Sequence, residues 1–259
     1  CMRWIVLLAA LAMPLVAWLS QTGQFGPTNG AISDRYPTLL VAAGYAFSIW
    51  GLIFLWDVAF GLWQLRQRRP DDNAGVRGWA AAGFALTAAW MPVFSNQAFL
   101  PALAIIWLAL LCLLVAAVRA APATASAGQR AFAAYPLALH AGWLTMAAFL
   151  NTAQVAVAYQ WLPTGDMLSW SVVLLALATL LAWVMNYRLR GHFAYPAAVI
   201  WALVGVYIKQ SGWRLPGADT VAVLALAVAA LLVLQTLLLR TRAWRAPRVG
   251  VVAAHRHRR

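Results

Sequence analysis

The chain contains no glutamate, a single lysine (Lys209) and only six aspartates in 259 residues. With so few carboxylates the supply of general acids and bases is thin, and no two aspartates stand in a DxxD pair. Its histidines, His140, His192, His255 and His257, make no HExxH, and neither a P-loop nor a nucleophile elbow is present. Cys1 and Cys112 supply neither a disulfide framework nor a metal-ligand spacing, so Cys112 reads as a small hydrophobe and no metal site is expected. Charged residues make up 10% of the chain, against about 25% in a soluble domain. These absences exclude an ordinary soluble enzyme, a disordered chain and a coiled coil.

What is present is apolar. Hydrophobic residues make up 64% and the mean hydropathy is +0.75. A membrane-spanning helix needs about 20 mostly apolar residues, and eight such runs can be read: 4–19, 39–65, 79–94, 99–118, 132–159, 167–187, 193–208 and 221–239. The first follows Met2 and Arg3 without a small-residue cleavage site, and is read as a retained helix. The expected fold is therefore an all-α integral membrane protein of about eight transmembrane helices.

The arginines test that count. With eight spans, one side carries Arg3, Arg66, Arg68, Arg69, Arg77, Arg119, Arg130, Arg188, Arg190 and the tail, sixteen basic residues in total. The other side has only Arg35, Lys209 and Arg214. Such a bias marks the cytoplasmic face, so both termini are expected there. The formal charge of +13 follows this topology, and no nucleic-acid partner is expected. The tail stretch His255-Arg256-His257-Arg258-Arg259 reads as a solvated basic segment beside anionic lipid.

Fifteen tryptophans exceed what anchoring at the membrane surface requires. Trp50, Trp90, Trp107, Trp143 and Trp201 fall inside runs, where they either pack helices together or line a cavity. In the second run Phe47, Trp50, Phe54, Asp57 and Gly61 recur at three- and four-residue spacings and share one helical face. The fifth run repeats this with His140, Trp143, Ala147, Asn151 and Gln154, and the third with Gly83, Thr87, Trp90 and Phe94. Ionisable groups within a span are costly and mark function or a specific pairing. At 1.5 Å rise per residue, Asp57 and His140 lie about 12–13 Å from the same end of their helices, level enough to pair. The small residues Ala141, Gly142, Ala147 and Ala148 permit close helix contacts, within one chain or in a homodimer.

The segments that carry these stripes also resemble a known family. Gly44-Tyr-Ala-Phe-Ser-Ile-Trp-Gly-Leu-Ile-Phe54, Ala89-Trp-Met-Pro-Val-Phe94 and Trp143-Leu-Thr-Met-Ala-Ala-Phe-Leu-Asn151 resemble the second, third and fifth helices of the TspO/MBR family. These are the tryptophan-rich sensory proteins related to the mitochondrial translocator protein. The resemblance covers residues 1–160, and the segments 161–240 and 241–259 are expected to form a three-helix C-terminal extension and a basic cytoplasmic tail. Where the family has an asparagine three residues before the third-helix Trp this chain has Thr87, and where it has a tyrosine four after the second-helix Trp it has Phe54. The double proline before the second helix is absent, Pro37 being its nearest remnant.

The resemblance implies a five-helix bundle that binds a planar hydrophobic ligand, a porphyrin or other tetrapyrrole or a sterol, in a role of transport or sensing. Phe47, Trp50, Phe54, Thr87, Trp90, Phe94, Trp143, Asn151 and Gln154 are the expected ligand-binding residues, with Asp57 and His140 an intramembrane polar pair. No cofactor is required on this reading; porphyrin or haem is a ligand. The expected location is the bacterial inner membrane. The competing readings are a membrane enzyme, or a proton-coupled transporter, working through Asp57 and His140.

Overall fold

The computed structural model describes residues 1–67, 74–122 and 125–245. Arg68, Arg69 and the tail sequence from His255 to Arg259 lie outside the described residues. Eight long helices correspond to the eight apolar runs: α1 (Met2–Gln21), α3 (Ile49–Leu65), α4 (Ala74–Ser95), α5 (Phe99–Ala120), α7 (Tyr135–Ala158), α8 (Met167–Arg188), α9 (Ala194–Ser211) and α10 (Ala218–Arg245). Two short helices, α2 (Asn29–Arg35) and α6 (Ala127–Gln129), lie between them, and no strand occurs among the described residues. Six helical segments are long and apolar enough to cross a membrane. The α4 and α9 helices fall outside that set: Arg77 and three glycines dilute the first, Lys209 and Gln210 the second.

Helix α7 is the axis of the bundle. Eighteen of its residues are buried, and α3, α5, α8 and α9 all pack on it. This explains why its sequence lacks a polar face: a helix surrounded by protein needs none. It approaches α9 closely at one point. A Cβ on Gly142 would run into the backbone carbonyl oxygen of Tyr195, so glycine is what lets the two helix backbones approach. The Tyr195 hydroxyl is hydrogen-bonded at 2.9 Å to that of Thr145, one turn along α7. Helices α8, α9 and α10 contribute Ala178, Leu203 and Val221 to the same core as Val6 and Met13 of α1.

The arginine-bearing ends of the helices gather at one side. Arg3 donates to the Leu65 carbonyl, Gln64 donates back to that of Arg3, and Arg77 donates to Gln64, which ties α1, α3 and α4 together. On the same side the α8–α9 turn passes through left-handed backbone at Arg190 and Gly191 and places His192 between Tyr135 and Phe193. Both imidazole nitrogens of His192 are buried without a hydrogen-bond partner. Burial, and then the nearby positive charge of Arg240, lower its pKa from 6.5 to about 4. The unfolded chain therefore binds a proton there that the folded chain refuses, between pH 6.5 and about 4. Stability in detergent is expected to be full above that window, to fall as the pH drops through it and to level off below. A His192→Phe variant should melt with a flatter pH profile than the parent across the same window; parallel profiles would show that His192 is not responsible.

One expectation needs correction. The second run was expected to be helical from residue 39, yet α-helix begins only at Ile49. Residues 39–43 are non-helical, and Gly44–Ser48 form a 3₁₀ turn. Backbone that leaves a helix inside an apolar interior must find other partners, and here α9 provides them. The Ala43 amide donates to the Gly205 carbonyl at 2.8 Å. Gln210 donates to the carbonyls of Thr38 and Val41, and the Trp201 indole donates to that of Ala46 at 2.8 Å. Gly205 allows the close approach, since a Cβ there would meet that of Ala46 at 2.8 Å. Residues 38–48 thus form a strap pinned to α9.

Candidate ligand site

Aromatic side chains of the strap, α4 and α7 converge on a slot, with Trp50 of α3 packed beside them. Trp50 stacks on Phe54 at 5.1 Å and meets Trp143 edge-on at 5.8 Å. Phe47 approaches the same Trp143 ring at 5.9 Å. From α4, Trp90 stacks on Phe94 at 4.9 Å and donates its indole N–H to Asn151 Oδ1 at 3.3 Å. Phe47, Trp90, Phe94, Trp143, Asn151 and Gln154 line the slot, which the strap closes with Val41 and Ala42 and α9 with Ala202.

The slot encloses only about 40 Å³, too little for any planar molecule. It borders a vestibule of about 590 Å³, in the size range of small-molecule sites. Asn29, Ser33, Val41, Ala42 and Phe47 line both. Trp50 faces the vestibule rather than the slot, beside residues of α1, α2 and the end of α9. Phe54 and Thr87, grouped with the ligand-binding residues on sequence grounds, line neither opening. Phe54 is buried against Trp50 and supports it.

The slot has hydrogen-bonding capacity to spare. Trp143 Nε1 and Asn151 Nδ2 are buried donors without a partner, and Asn29 Oδ1 is an unpaired acceptor at the boundary with the vestibule. Gln154 is engaged, donating to Ser33 Oγ at 2.7 Å and joining α7 to α2. An unpaired buried donor costs about 1–3 kcal/mol. A guest that accepted from Trp143 and Asn151 would recover that cost.

Behind the indoles lies a polar chain. His140 Nδ1 is 2.7 Å from Asp57 Oδ2, and both side chains are fully buried. On the other side of the ring, Nε2 is 3.3 Å from Thr87 Oγ1, whose proton goes to the Gly83 carbonyl at 2.9 Å. The threonine oxygen is then free to accept from Nε2, while Nδ1 faces the carboxylate of Asp57. Phe84 stacks on the imidazole at 5.9 Å and Trp50 meets its edge at 5.6 Å. The three polar residues line neither slot nor vestibule, so a guest in either opening does not touch His140.

Sequence reasoning missed Asn29, Ser33, Val41, Ala42, Ala202 and Lys209. The small residues Ala42, Ala46 and Gly205 mark where strap and α9 touch, but no local pattern relates positions so far apart in the chain. A family model described as TSPO-like protein matches residues 3–238, running through α8 and α9 and most of α10. No curated protein and no solved structure matches the chain.

Proposed function

The chain belongs to the TSPO-like family, and from that premise we propose that it is a membrane-embedded binding protein for a planar hydrophobic ligand, a porphyrin or other tetrapyrrole or a sterol, acting as sensor or carrier. The observation that carries this reading is a pair of adjoining openings walled by tryptophan, Trp90 and Trp143 on the slot and Trp50 on the vestibule, with two unspent N–H donors in the slot. Flat indole faces suit a flat guest, and mostly apolar walls with a few placed polar groups are the usual form of a small-molecule site. The guest sits in the vestibule against Trp50 and presses one acceptor-bearing edge into the slot. Phe47, Trp90, Phe94, Trp143, Asn151 and Gln154 contact that edge, while Phe54 and Thr87 act from behind. All eight long helices span the membrane on this reading. The arginine bias sets both termini on the cytoplasmic side, and the vestibule faces outward.

The experiment is a titration of the purified protein with haem, protoporphyrin and a sterol, read by tryptophan fluorescence. Saturable quenching or enhancement by at least one of them is expected. Losing two hydrogen bonds of about 0.5–1.5 kcal/mol each should weaken binding about tenfold or more in a Trp143→Phe, Asn151→Leu double variant. No saturable response from any of the three, or unchanged affinity in a folded double variant, would overturn the proposal.

A further inference from the structure

Among the residues that line the vestibule, two carry charge: Asp34 of α2 and Lys209 of α9. Their contact is loose. The Lys209 ammonium lies 3.6 Å from Asp34 Oδ1, beyond a good hydrogen bond, and the Asp34 side chain is 74% exposed against 30% for Lys209. Such a pair contributes little and exchanges readily for a better anion. The lysine is nevertheless held in place. Its ammonium sits 4.5 Å over the Trp213 ring, a contact that positions a cation without using its donors. Its neighbour Gln210 is fully buried and bonded to the strap that walls the vestibule. The deep end of the site presents the donors Trp143 Nε1 and Asn151 Nδ2. A site with a cation at its rim and free N–H groups at its depth suits a guest that is apolar across its body and acidic at its edge.

Resting on the binding role proposed above, we infer that Lys209 selects ligands bearing a carboxylate, which displaces Asp34 and pairs with the ammonium while the apolar body lies against Trp50. The α9 helix is then part of the recognition surface: it supplies Ala202 to the slot, the partners of the strap, and the charge that reads the ligand.

The test compares protoporphyrin with its dimethyl ester, which keeps the plate and removes the charge. Affinities are measured by tryptophan fluorescence in the full-length parent and in Lys209→Gln, Lys209→Arg and Asp34→Asn. The parent is expected to favour the acid over the ester by about fivefold, near the upper range for a partly exposed ion pair. Lys209→Gln should bring the two within about twofold by lowering affinity for the acid alone, and Lys209→Arg should keep the preference. Asp34→Asn should enlarge it, because the lysine loses its competitor. Equal binding of acid and ester by the parent, or a preference that survives Lys209→Gln, overturns the role of Lys209 while the binding reading stands. If the parent binds neither compound, the role of Lys209 falls, and the binding reading falls with it only when haem and the sterol also give no saturable response.

Discussion

Asp57→Ala is expected to destabilise the fold by about 3–5 kcal/mol, the largest effect of any single side-chain truncation in the bundle. The reason is asymmetry. Removing the carboxylate leaves His140 fully buried with its Nδ1 facing the cavity left by the missing side chain. Its Nε2 keeps its contact with Thr87 Oγ1. Replacing both partners by leucine should cost much less than the two single changes added together, because no uncompensated polar group then remains. Thermal unfolding in detergent, with the double variant beside the singles, measures this. An Asp57→Ala protein that melts with the parent would mean that the carboxylate contributes nothing to holding α3 against α7.

Gly142→Leu should have the second-largest effect. A Cβ there already meets the Tyr195 carbonyl oxygen, and Ala198 Cβ lies 3.1 Å from the same point. Both obstacles belong to a helix backbone or its first atom, so neither can rotate away. The α9 helix must shift, at the cost of about 1–3 kcal/mol or more for overpacking. The shift would move Gln210 and Lys209 with it, so affinity for the vestibule ligand is expected to fall along with the melting temperature. Gly51→Leu is the control, since nothing lies within 4 Å of a Cβ there and no comparable loss is expected. Equal melting of the two variants would show that the α7–α9 contact is not tight.

The helices were legible because their signal is local. A run of apolar residues bounded by arginines states its own length, and three- and four-residue spacings put Trp50 with Asp57, and Trp143 with Asn151, on single faces. From those faces it follows that Asp57 and His140 can meet, and they do, at 2.7 Å. Thr87 shares its face with Trp90, and its hydroxyl turns back to His140, a direction that spacing alone does not give. The break at residues 39–48 was illegible for a different reason. Hydropathy measures side chains, whereas that stretch leaves the helix because partners for its backbone arrive from Trp201, Gly205 and Gln210. The size of the slot, about 40 Å³, was equally beyond reach, because it depends on how five helices and the strap close together.

The strap has a consequence for the length of the protein. Were the polypeptide to stop after α7, the amide of Ala43 and the carbonyl of Val41 would lose the partners that α9 gives them. The only remedy left to such a shortened molecule would be to wind those residues back into a continuous helix, filling the space that Val41 and Ala42 now border. The entrance is thus a joint product of the strap and α9, and neither segment forms it alone.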